Sequence, residues 1–280
     1  MIACIKDILI GLTSEYEASE HSPALLYGLS LAQHSQAHVT TQSASVRVRV
    51  RSAWFAQIAA NLVGSENFRR KAMAEALAKQ ARKEASATGI DCTVQTPHLS
   101  YQELLASFTT QARLHDLTIL DSESHALNLD RGLIEELLIH SGRPLVVVPR
   151  HCDTFHCHRA IVAWDGSAKA ARATNDALPL LRRAEAVTVL SVTGEKNLPG
   201  EAVGADLAMH LNRHGVPAMA ESLTAHDGDV ARTLRDAAHQ KQADLIVMGA
   251  FVHWRLRELI LGGVTQSLLK KCDVPLFMAY

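Results

Sequence analysis

Residues 115–125 read HDLTILDSESH, and residues 243–253 read ADLIVMGAFVH. Each has an Asp as its second residue, continues as a short apolar run and ends in a turn. Runs such as Leu245 to Met248 are apolar at consecutive positions, as strands covered on both faces are. The segments just downstream match as well. LIEELLIHSG in the first case and GGVTQSLLKKC in the second read as helices, and each leads through a proline, Pro144 or Pro275, into a strand, LVVVPR or LFMAY. Further back, DILIGLTSE at 7–15 pairs with RAIVAWDGS at 159–167. Next to these stand SPALLYGLSLAQ and AARATNDALPLLRRA, whose apolar residues recur at three- and four-residue spacing. The chain is therefore an internal repeat. Strands alternating with helices in each half imply parallel sheets with right-handed crossovers, an α/β doubly wound arrangement.

The middles of the halves differ. VRVRVR at 46–51 alternates strictly, and FRRKAMAEALAKQARKEASATG at 68–89 reads as a helix with a polar face that stops at Gly89. The second half has a shorter equivalent, EAVGADLAMHLNRHG, stopping at Gly215. The boundary falls in HCDTFHCH at 151–158, so the expected domains are 1–150 and 159–280.

Composition narrows the function. With 280 residues, 48% hydrophobic and 20% charged, the chain has material for a core in each half. Its formal net charge of -1 gives no reason to expect a nucleic-acid partner or a polybasic membrane tether. No apolar run reaches the ~18 residues of a membrane span. The opening MIACIKDILIGL carries Lys6 and Asp7 within it and reads as a first strand, not a signal peptide. The cysteines, Cys4, Cys92, Cys152, Cys157 and Cys272, are odd in number and scattered, which fits reduced thiols in the cytoplasm.

In a doubly wound sheet, ligands bind beyond the carboxyl ends of the strands where the strand order reverses. Two turns of the second half fall there. Asp165-Gly166-Ser167 comes after one strand; Gly249 comes after another, and Gly262-Gly263 opens the next helix. A carboxylate at Asp165 can accept hydrogen bonds from a base or ribose, or it can serve only to cap the helix. Two glycines at a helix start leave backbone N–H groups free for an anion, or they answer a need for positive φ.

Together AIVAWDGSAKAARATNDALPLL, GDVARTLRDAAHQKQADLIVMGA and RLRELILGGVTQSLLKKCDVPLFMAY resemble the universal stress protein family in its tandem two-domain form, closely over 159–280 and more weakly over 1–150. The resemblance implies mostly parallel five-stranded sheets of the adenine nucleotide alpha hydrolase-like kind. It also implies a pseudo-two-fold relation that brings the last strands, Leu145–Val148 and Leu276–Ala279, together. It implies ATP or another adenine nucleotide as cofactor, bound and not turned over beyond slow hydrolysis. Family members that bind ATP carry an acidic residue after the first strand, and a loop of Gly, two residues, Gly, nine residues, Gly, then Ser or Thr. Here Asp165 matches the acid, Gly249 the first glycine and Gly262 the third. Val252 replaces the second glycine, Gly263 replaces the Ser or Thr, and Thr265 offers a hydroxyl two residues on. The β-branched Val252 disfavours positive φ, so a weakened site is expected.

The first half departs further, with Thr13 at the position of Asp165, Asp121 at Gly249 and Ser124 at Val252. An acid at 121 would repel phosphate, so residues 1–150 are expected to keep the fold without the ligand. His151, Cys152, Asp153, His156, Cys157 and His158 are metal-ligand types, but their spacing matches no zinc pattern, and a solvated linker without bound metal is expected. No nucleophile elbow, zincin motif or phosphate loop of the Walker type occurs, so no catalytic residues are assigned. His226-Asp227-Gly228-Asp229 reads as a loop and cap before a helix at Val230. The expected partners are an adenine nucleotide, other proteins and a second copy of the chain. The alternative is a ligand-free module that binds proteins.

Overall fold

The computed structural model describes residues 2, 4–13, 22–49, 53–122, 129–194, 203–250, 252–255 and 258–280; within these, the side chains of 53–60, 129–130, 203, 252–255 and 258–260 lie outside the description, as does Ser124 altogether. The first half runs β1 (Asp7–Thr13), α1 (Pro23–Ser35), β2 (His38–Val46), α2 (Ala53–Thr88), β3 (Cys92–Gln95), β4 (His98–Leu99), α3 (Tyr101–Ala112), β5 (Leu117–Asp121), α4 (Leu129–His140) and β6 (Leu145–Val148). The second runs β7 (Arg159–Ala163), α5 (Ala168–Leu181), β8 (Ala186–Thr193), α6 (Val203–Arg213), β9 (Ala218–Thr224), α7 (Val230–Gln240), β10 (Leu245–Gly249), β11 (Val252–Arg255), β12 (Glu258–Leu261), α8 (Gly263–Lys271) and β13 (Leu276–Ala279).

All of these strands except β11 and β12 join one sheet, in the order β3-β2-β1-β5-β6-β13-β10-β7-β8-β9, with β4 also on β2. The first half thus has β1 between β2 and β5, the second has β7 between β8 and β10, and all pairings of this sheet within each half are parallel. The halves meet as expected: β6 and β13 pair antiparallel, Leu276 opposite Val147 and Met278 opposite Leu145. Antiparallel pairing of equivalent strands is what a local two-fold axis produces.

The strands are apolar on consecutive positions because both faces are covered. Ile8 and Ile10, Leu245 and Val247, and Phe277 point into one core, which takes in α1, α5 and α6. Leu9, Ile246, Met248 and Leu276 point into the other, with α3, α4, α7 and α8. Both cores run through the two halves without a break. The repeat extends to single hydrogen bonds. Asp116 accepts from the amides of Lys6 and Asp7, at 2.8 and 3.2 Å, and so holds the start of β1 against β5. Asp244 does the same for β7, accepting from His158 and Arg159 at 2.9 and 3.2 Å.

Two expectations need correction. The helix read from residue 68 begins at Ala53 and spans 36 residues. Its later part packs on the sheet through Ala74, Leu77, Ala78, Ala81 and Ala85, and it ends as expected at Gly89, where φ is 70°. Of the described residues in VRVRVR, 46–49, only Val46 belongs to a strand. The segment 151–158 is a solvated linker only in part. Phe155 is buried, lies edge-on to Tyr27 and His34 with ring centroids 5.6 Å away in both cases, and its amide donates to Ser30 Oγ. Cys157 is buried too. The density of His and Cys hides the alternation of polar and apolar residues there.

Candidate functional site

Where β7 and β10 part, at the reversal of strand order in the second half, lies a cleft of about 670 Å³. That is within the usual size of small-molecule sites. The five residues singled out from sequence, Asp165, Gly249, Gly262, Gly263 and Thr265, all line it. The remaining walls come from Ala163, Trp164, Leu190, Val192, Leu234, Met248 and Val264, with Asp227, Gly228, Asp229 and Ser267 at the polar end. Sequence reasoning misses the walls on β8 and α7. Their only signal is the HDGD turn, which reads as a loop and cap.

Asp165 does not cap α5. Ser167 does, accepting from the Ala170 amide at 3.1 Å, while Asp165 Oδ1 accepts from the Ser167 amide at 3.0 Å and shapes the turn. Gly166 takes φ 74° there, which favours glycine. Asp165 is exposed at the cleft mouth. A carboxylate offers about four lone-pair sites, so one bond to the turn leaves it able to accept from a ligand.

The glycines divide by cause. Gly249 is not among the residues with positive φ; a Cβ there would lie 2.5 Å from the Ala170 nitrogen and 2.7 Å from the Lys169 carbonyl carbon. It is glycine because the start of α5 presses against the end of β10. Gly262 caps α8 with φ -62°, so positive φ does not explain it. A Cβ on Gly263 would meet nothing within 4 Å. No side chain caps α8. By contrast Ser22, Ser167 and Asp229 cap α1, α5 and α7. The first amides of a helix have no acceptor within it, and at α8 they open on the cleft, a setting that favours an anion. Thr265 is fully buried in the wall behind them. Arg235 Nη1 donates to Ser267 Oγ at 3.0 Å and ties α7 to α8.

Between Gly249 and Gly262, where a loop is expected, Val252–Arg255 and Glu258–Leu261 form a β-ribbon. Val252 pairs with Leu261 and Arg255 with Glu258. Alternate backbone groups of β11 and β12 are therefore engaged with one another, which leaves fewer of them as donors to phosphate. The side chains of Val252, His253 and Arg255, and all of Arg257, lie outside the described residues.

In the first half the positions of Asp165 and Gly249 carry buried side chains. Thr13 is buried, and Asp121 is buried at the register position of Gly249. Asp121 Oδ1 accepts from the Ala24 amide at 2.8 Å, and Ser22 Oγ donates to Oδ2 at 2.7 Å. The acid expected to repel phosphate instead occupies the start of α1 itself, where the helix dipole favours its charge.

Around the linker, His151 Nε2 lies 2.9 Å from the Asp273 carbonyl, and the Cys157 thiol donates to the Leu180 carbonyl at 3.5 Å. Burial pushes the Cys157 thiol up to about 12 and the Cys152 thiol up to about 11, with nearby carboxylates adding to both. Both stay protonated near neutrality. Among the described residues, no three His, Cys, Asp or Glu side chains are arranged to hold a metal ion. No described helix is long and apolar enough to cross a membrane.

Known proteins agree with this architecture. Residues 156–279 match the universal stress protein family. No curated protein matches the sequence. The whole fold is similar to that of a universal stress protein from Archaeoglobus fulgidus DSM 4304, with TM-score 0.70 and 15% identity, over 98% of this chain and 97% of that one. It is also similar to a functionally unknown protein from Pseudomonas aeruginosa PAO1, with TM-score 0.58 and 15% identity, over 99% of this chain and 93% of that one. At such identities the likeness is one of fold alone. Residues 156–279 thus match the universal stress protein family, and they stand within a fold that is similar from end to end to that of a universal stress protein.

Proposed function

We propose that the second half binds an adenine nucleotide, ATP or a shorter relative, and that the protein acts through this binding and not through turnover. The observation that carries the reading is the convergence of Asp165 and the uncapped start of α8 on one cleft with apolar walls. Adenine and ribose would lie toward Asp165, between Trp164, Leu190 and Met248. The phosphate nearest the ribose would meet the amides of Gly263 and Val264. Further phosphates would find fewer donors, because β11 and β12 pair with each other. Binding is therefore micromolar or weaker, about -8 kcal/mol or less favourable. The first half contributes a completed sheet and no site in this reading, since Asp121 stands at the position of Gly249 and turns its carboxylate to the start of α1, the helix equivalent to α5.

Photolabelling with an azido-adenine nucleotide, then peptide mapping, tests this. Label is expected on peptides containing 163–165, 190–192 or 227–234. Label confined to peptides from residues 1–122 would contradict it. If no competable label appears anywhere, the ligand-free interaction reading takes its place; the β11–β12 ribbon is the observation that favours that reading.

A further inference from the structure

A second cavity, of about 370 Å³, lies at the edge of the sheet opposite the Asp165 cleft. The linker crosses the amino-terminal ends of β10 and β13 there, and α1 contributes Tyr27 to the wall. Tyr27 is 1% exposed, and its hydroxyl has no hydrogen-bond partner among the described residues. Phe155 stands edge-on against its ring. Burial, and after it Cys157, Cys152 and Asp244 nearby, hold the phenol well above its ordinary value, so the hydroxyl is neutral. Cys152 and Asp244 both belong to the cavity wall, which places the hydroxyl at the inner end of the cavity. A buried hydroxyl without a partner is costly, and in a native protein it calls for one.

The charge of the wall has one sign. Asp153, Asp244 and Asp273 line the cavity, and no described Lys or Arg does. Asp244 holds the amides of His158 and Arg159, yet its two oxygens keep lone pairs. The Asp273 carbonyl is taken by His151 Nε2 and Cys152 Sγ, at 2.9 and 3.7 Å. The internal repeat shows what can fill such a place. Ser22 and Ser167 cap α1 and α5, and five residues further on Tyr27 is matched by Arg172. Two residues before the prolines that lead into β13 and β6, Asp273 is matched by Gly142. The local two-fold axis therefore relates Tyr27 and Asp273 to Arg172 and Gly142. On that other side the Arg172 guanidinium donates to the Gly142 carbonyl and pairs with Asp176 at 3.5 Å. One side of the axis thus holds a cation of the protein's own, and its counterpart holds a tyrosine, acids and space.

We propose that this cavity binds a small organic cation, an alkyl guanidinium or alkyl ammonium, whose N–H groups donate to the Tyr27 hydroxyl and to the carboxylates of Asp244 and Asp273. Its methylenes would lie against Val274 and Pro275, which line the same wall. Charge-assisted hydrogen bonds of this kind are the strong ones, and a neutral phenol oxygen can accept one while its own proton goes to a carboxylate. A metal ion does not suit the arrangement, since among the described residues no three His, Cys, Asp or Glu side chains are placed to hold one.

Titration calorimetry of the full-length chain with agmatine, which carries both head groups, tests the proposal. One site per chain is expected at low salt, and butanol, which lacks the charge, should give no heat of binding. Asp273→Asn should weaken agmatine about tenfold, the loss of a charged acceptor at an exposed position. Tyr27→Phe should weaken it about fivefold, one neutral hydrogen bond. The ligand-free Tyr27→Phe chain should melt no lower than the parent, because its hydroxyl has no partner in the chain to lose. Absence of agmatine binding at millimolar concentration, or binding undiminished by Asp273→Asn, would overturn the proposal. So would a Tyr27→Phe chain that melts several degrees lower, which would show the hydroxyl engaged within the protein. Binding of magnesium or zinc ions without binding of agmatine would assign the cavity to a metal and overturn it as well.

Discussion

Gly249→Ala separates packing from ligand binding at the first glycine of the nucleotide loop. The added Cβ would stand 2.5 Å from the Ala170 nitrogen, 2.7 Å from the Lys169 carbonyl carbon and 2.9 Å from Lys169 Cβ. Comfortable contact needs about 3.5 Å, so the start of α5 must retreat by roughly 1 Å. The obstacle is helix backbone, which cannot rotate away as a side-chain end would. The α5 face that must move carries Ala170, Ala173, Thr174, Ala177, Leu180 and Leu181, all buried. Overpacking of this kind costs about 1–3 kcal/mol, and a backbone obstacle belongs at the upper end. A loss of about 3 kcal/mol corresponds to a fall of roughly 5–10 °C in melting temperature. Differential scanning calorimetry of the ligand-free protein reads this directly, with Gly263→Ala as the control, since nothing lies within 4 Å of a Cβ there. That control should stay within about 0.5 kcal/mol of the parent. If Gly249→Ala melts within about one degree of the parent, the packing explanation is wrong and the glycine answers to a ligand alone.

Asp121→Ala should cost about 3 kcal/mol in denaturant titration, because it strands the Ser22 hydroxyl and the Ala24 amide in the core; a neutral result would mean the carboxylate is not what closes the first half. Gly263→Ser adds a hydroxyl at the open start of α8 and should tighten a phosphate-bearing ligand about fivefold in titration calorimetry, one typical hydrogen bond; unchanged affinity would place the phosphate elsewhere. Thiol labelling at mildly alkaline pH should modify the exposed Cys4 well before Cys157, whose thiol is pushed up to about 12 by burial and is almost entirely protonated; equal rates would show that the linker opens readily.

The sheet is legible in the sequence because buried parallel strands leave an unmistakable mark, consecutive apolar residues such as Val146 to Val148 and Ile246 to Met248, and because that mark occurs twice. The two Asp-Leu starts, Asp116 and Asp244, are visible as a match, although their work in fastening β1 and β7 shows only in the hydrogen bonds. Ser22 and Pro23 mark the start of α1. Less is legible in α2, because Ala53 to Gly64 has neither the alternation of a strand nor the polar face of a surface helix. At the cleft, the motif positions are readable in order, but their causes are not. The sequence cannot distinguish a glycine needed for a neighbouring helix from one needed for a phosphate, nor show that an acid at 121 turns inward to a helix start. Those are facts about which backbone lies opposite.

Titration calorimetry of the full-length chain with ATP and magnesium, beside Asp165→Ala, tests the central claim most directly. One site per chain is expected, because the second half has an open cleft and the first has a buried Asp121 at the position of Gly249. The Asp165→Ala chain should bind at least about tenfold more weakly, the loss of a charged hydrogen-bond acceptor. Two sites per chain, or one site whose affinity is untouched by Asp165→Ala, would contradict the account.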